Sequence, residues 1–72
     1  MTDTERLKEK IKESGLIKGW IAEKCGMSYN SFLNKLNNKT DFTAPEISTL
    51  KDLLSLDAQE VFDIFFGQAV DN

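Results

Sequence analysis

The sequence predicts an all-α domain: a compact bundle of five short helices over residues 1–66, followed by a short C-terminal tail at 67–72. Three observations predict it. Helix-start punctuation recurs, with Thr2 and Glu5, Thr43 and Glu46, and Asp57 and Glu60 each setting a capping side chain three residues before an acid. Apolar side chains return at helical spacing, as in Leu7 and Ile11 or Leu50 and Leu54. Strand signals are missing, with no alternating β-branched run and no Asn-Gly or Asp-Gly turn.

The first helix is expected from Asp3 to Ser14, burying Leu7 and Ile11 and ending at Gly15. A second, from Lys18 to Cys25, buries Ile21, Ala22 and Cys25, and Gly26 turns the chain. A third opens at the cap residue Ser28 and ends near Asn37, leaving Asn38 in the left-handed position that Asn tolerates. The fourth runs from Ala44 to Leu54, with Pro45 in its first turn and Ile47, Leu50 and Leu54 inward. The fifth runs from Ala58 to Phe66.

A chain of 72 residues makes one domain near the lower size limit for unaided folding. Its single cysteine and lack of histidine leave no internal disulfide and no zinc set, so no cofactor or metal is expected. With no disulfide staple, no membrane-length apolar run and a polar N-terminus, a cytoplasmic protein is expected. No nucleophile–base pair or phosphate-binding glycine loop stands out, so an enzyme is not expected.

The net charge of −3 argues against a nucleic-acid partner until its distribution is read. Residues 1–40 hold eight Lys/Arg against five Asp/Glu, while residues 41–72 hold Lys51 against seven acids. Local charge, rather than the total, sets the field at a binding face. A lopsided charge in a small helical domain also arises by chance, so motifs must decide.

The informative stretch is Gly15 to Lys39. Two short helices meet across Cys25-Gly26-Met27-Ser28, with small Ala22 permitting a close crossing and Met27 filling the angle. The second of the pair opens on a capping serine and then presents polar residues. That is the physics of a helix-turn-helix, in which the second helix lies in the major groove.

Ile21-Ala22-Glu23-Lys24-Cys25-Gly26-Met27-Ser28, then Ser31-Phe32 and Lys35-Leu36-Asn37, resembles the Cro and phage-repressor family of helix-turn-helix proteins. Thr40-Asp41-Phe42-Thr43 and the leucine-rich fourth helix extend the likeness, especially to small prophage Cro-like regulators, over residues 5–66. The resemblance implies a lambda-repressor-like bundle and a transcriptional regulator, a repressor of phage or prophage origin, that binds double-stranded DNA. The chain departs from the family at Ile17-Lys18, where Thr-Gln is common, at Trp20, where Glu is common, and at Asn38, where Gly is usual. The second helix therefore has no side-chain cap.

Successive helical residues turn by about 100°. Phe32 and Leu36 then define the inward face of the third helix and Asn34 points away, with Asn30, Ser31 and Asn37 on the outward half. Asparagine can pair with adenine N6 and N7 in the major groove. Asn30 and Asn34 are the expected base readers, joined by Tyr29 at the leading end, whose direction the pattern leaves open between DNA and core. Phosphate contacts are expected from Lys18, Ser28, Ser31, Lys35, Asn37 and Lys39. Each lysine alone reads as a solvated charge, and Ser28 reads equally well as a cap alone. Leu33 and Trp20 are expected to pack, although Trp20 at the first turn of its helix can also stack beside a DNA backbone. Cys25 is expected as a buried, inert thiol.

In the fifth helix Val61, Ile64 and Phe65 form one apolar face, and Phe62 and Phe66 form a second edge. Two uses fit that edge: a homodimer surface, or one core that absorbs all five side chains. The rival function is a protein-interaction module on the same scaffold: an antirepressor, an antitoxin-like partner or an acidic DNA mimic.

Overall fold

Asp3, rather than Thr2, caps the first helix in the computed structural model, which describes residues 2–67. Its carboxylate accepts the Arg6 N–H at 3.2 Å, placing the start of α1 (Thr4–Ser14) one residue beyond the Thr2–Glu5 pairing. Thr2 is instead buried, and its carbonyl accepts a hydrogen bond from Asn38 Nδ2 at 3.0 Å. A carboxylate at this end also gains from the positive pole of the helix. The remaining elements are α2 (Lys18–Lys24), α3 (Tyr29–Leu36), α4 (Ala44–Leu53) and α5 (Ala58–Val61). α5 continues without a break as a π-helical segment over Phe62–Phe66. The expectation of an all-helical bundle is met among the described residues. Apart from Gly67, the tail expected at 67–72 lies outside them.

The other starts follow the sequence. Thr43 and Glu46 form a reciprocal capping box on α4, with Pro45 in the first turn, and Asp57 and Glu60 form another on α5. Each cap is worth about 0.5–2 kcal/mol. α2 begins at Ile17 with no side-chain cap.

The ends share one device. In α2, α3 and α4 a left-handed residue reverses the chain, and its two last N–H groups return to carbonyls of the final turn. Gly26 at φ 76°, Asn38 at φ 59° and Ser55 at φ 54° occupy that position. The closing bonds are Met27 N–H to Ala22, Lys39 N–H to Asn34 and Leu56 N–H to Lys51, at 3.0, 2.9 and 2.9 Å. Met27 and Leu56 also fold back onto the core.

α1 to α4 and the π segment all contribute to one core, with Val61 of α5 packed against it. Leu7 and Ile11 come from α1, Ile21 and Ala22 from α2, Phe32 and Leu36 from α3, Leu50 from α4, and Ile64 and Phe65 from the π segment. Phe42, in the α3–α4 connection, stands edge-on to both Phe32 and Phe65, at centroid distances of 6.2 and 5.7 Å. Each such contact adds about 0.5–1.5 kcal/mol beyond burial. Leu33 packs against the core, as do Ile47 and Cys25, where burial pushes the thiol pKa up.

The last helix departs from expectation in its winding. Ile64 and Phe65 enter the core from this π segment, on the face their spacing assigns them, while Phe62 and Phe66 stay exposed, at 43% and 47%. The reading in which all five apolar side chains share one core is thereby corrected. Asp3 N–H donates to the Ile64 carbonyl at 2.6 Å, tying the first helix to the last. Arg6–Asp63 at 3.4 Å and Lys10–Glu60 add ion pairs along the same seam. None of the helices is long and apolar enough to cross a membrane among the described residues.

Candidate nucleic-acid interface

α3 is amphipathic because Phe32 and Leu36 fall one turn apart, and their burial fixes the opposite side outward. Tyr29, Asn30 and Asn34 are all exposed, as is Asn37 at the helix end. Among the described residues the side chains of Asn30, Asn34 and Asn37 make no hydrogen bond, so their amides are free to pair with a ligand. Tyr29 is 50% exposed, which resolves its direction away from the core.

Ser28 is committed to its own helix. Its Oγ accepts the Ser31 N–H at 3.1 Å, and its hydroxyl donates to Ser31 Oγ at 3.1 Å. Ser31 keeps its own hydroxyl proton for an outside acceptor and is the better placed of the two for a phosphate.

Lys18 and Lys39 are exposed and carry no ion pair among the described residues. Lys35 does not join them, which corrects its assignment as a phosphate contact. Its ammonium lies 2.7 Å from Glu46 Oε1, with both side chains about 15% exposed or less. Glu46 Oε1 also accepts the Thr43 N–H at 2.9 Å. Burial alone would raise the Glu46 pKa, but Lys35 and Thr43 together outweigh it and hold the carboxyl below its ordinary value. The pair joins α3 to α4.

Trp20 also departs from its expected packing role. It is 41% exposed, and the Lys24 ammonium lies over its ring at 5.3 Å from the centroid. Ile17, at the start of the same helix, is 75% exposed. The residues at 17, 20 and 24 share one flank of α2, and that apolar-cationic strip was not legible as exposed from spacing alone. A signal was present nonetheless: Ile21, Ala22 and Cys25 already fill the inward arc.

No family model matches the chain, and neither the curated proteins nor the solved structures compared with it yield a match.

Proposed function

We propose that this protein binds double-stranded DNA sequence-specifically and regulates transcription, as a repressor of the small phage or prophage Cro-like type. In this reading the bundle is lambda-repressor-like, α2 and α3 form its helix-turn-helix, and α3 enters the major groove. The observation that carries it is the outward face of α3: Asn30 and Asn34, one turn apart, exposed and without side-chain hydrogen-bond partners among the described residues. Two amides so placed match the donor–acceptor edge of adenine. Tyr29 leads the helix into the groove. Lys18, Ser31, Asn37 and Lys39 flank the same helix pair and set register through phosphates.

A homodimer joined through Phe62 and Phe66 fits a two-fold operator, with recognition helices about 34 Å apart. The single unpaired thiol suits a reducing cytoplasm.

Selection of bound sites from random duplexes, followed by affinity against salt on the best site, tests the proposal. A recovered consensus with steeply salt-dependent binding is expected. No duplex affinity at low salt would overturn it and leave the protein-interaction module as the surviving reading.

A further inference from the structure

The lysines of α1 divide into two strips with different fates. Lys10 and its neighbour Arg6 are held by Glu60 and Asp63 on the seam with the last helix. Lys8 and Lys12, one turn apart on the opposite flank, form no ion pair among the described residues and are exposed. Glu5, Glu9 and Glu13 project between these flanks, away from the core.

Lys8 and Lys12 border a groove between α1 and the start of α2, together with Ile11, Gly15, Leu16 and Lys18. No carboxylate lines it, so three ammonium groups share one depression with an apolar floor. Gly15, at φ 74°, turns the chain sharply enough to bring Lys18 back beside Lys12. Glu5 and Glu9 share an adjoining depression with Lys8 and Lys12 on the outer side of α1 without pairing them, so the three ammonium groups still raise the potential inside the groove itself, and a polyanion relieves it.

We propose that this groove binds consecutive phosphates of one DNA strand, extending the contact surface from Lys18 on α2 onto Lys8 and Lys12 of α1. The inference rests on the DNA-binding reading above and adds backbone contacts from α1 to those of the helix-turn-helix. Such contacts contribute affinity and salt dependence and leave sequence preference alone.

The test is a salt titration on a selected duplex with the wild-type protein, Lys8→Gln/Lys12→Gln and Lys51→Gln. Lys51 is exposed on α4 outside the groove, forms no ion pair among the described residues, and controls for the loss of positive charge, taken per charge removed. The double variant should lower the slope of log K against log salt by about 1.8, at about 0.9 per lost phosphate contact. Its consensus site should be unchanged, and the Lys51 variant should keep the wild-type slope. All three positions are solvent-exposed, and circular dichroism would verify that each variant folds. Duplex binding by wild type with an unaltered slope in the double variant would overturn the groove site alone. An equal fall per charge removed in the Lys51 variant would overturn it as well. Absence of duplex binding by the wild type would overturn both this inference and the reading on which it rests.

Discussion

Lys35 and Glu46 meet at 2.7 Å across the α3–α4 junction, and the carboxylate oxygen that holds the ammonium also closes the α4 capping box. One oxygen therefore fixes the pitch of α3 against α4 and the start of α4 itself. Removing it leaves a largely enclosed ammonium and an unsatisfied cap. Glu46→Ala should cost about 1–3 kcal/mol of unfolding free energy, read from urea denaturation at pH 7.

The pH dependence follows from the same contact. The folded Glu46 pKa lies below its ordinary value of 4.5, so the unfolded state takes up the proton first as pH falls. Its contribution is present above the unfolded pKa and is lost as pH drops through the folded one. Stability of the wild type should fall below pH 4.5, and Glu46→Gln should show a shallower decline over that window. Parallel urea midpoints for the two proteins from pH 6 to pH 3 would refute the assignment.

Asn34→Ala should weaken the best duplex site by about 1–3 kcal/mol and relax preference at one base pair. Lys39→Ala should weaken all duplexes by similar amounts and reduce the salt slope by about 1. Competition binding with single-base variants of the site separates the two outcomes.

Phe62 and Phe66 are both exposed on the last helical segment, more apolar surface than a solvated helix needs. Sedimentation equilibrium across a wide concentration range should show a monomer–dimer equilibrium. Phe62→Glu should abolish it while leaving the helical circular-dichroism spectrum intact, because that side chain does not belong to the core. A concentration-independent monomer mass in the wild type would count against the interface.

The left-handed helix ends give a graded series. Ser55 is exposed, holds φ 54° and makes no side-chain hydrogen bond among the described residues, so Ser55→Gly should stabilise by about 0.5–1 kcal/mol. Asn38 holds φ 59° but also donates to the Thr2 carbonyl. Asn38→Gly should therefore gain less than Ser55→Gly, and Asn38→Ala should lose about 1–2 kcal/mol. Thermal melts of the three variants rank them directly.

Much of this architecture was legible in the residues. Thr43-Glu46 and Asp57-Glu60 mark two helix starts, Gly15, Gly26 and Asn38 mark three ends, and Phe32 with Leu36 orients α3. Each is a local signal, settled within one turn of chain. Two of the misread features depend on contacts further along the sequence. Two capping residues stand side by side at the first helix, and the burial of Thr2 against Asn38 selects Asp3. Lys35 looks free until α4 brings Glu46 to it. Trp20 has the composition of a core residue, but smaller side chains of α2 already occupy the inward arc. The π segment has the same spacing of apolar residues as an α-helix and differs only in which carbonyl each N–H selects.

The bond from Asp3 N–H to the Ile64 carbonyl brings the described beginning and end of the chain together. Opening of either segment therefore exposes the other, so slow amide exchange along Thr4–Ser14 should report how firmly the last helix is seated.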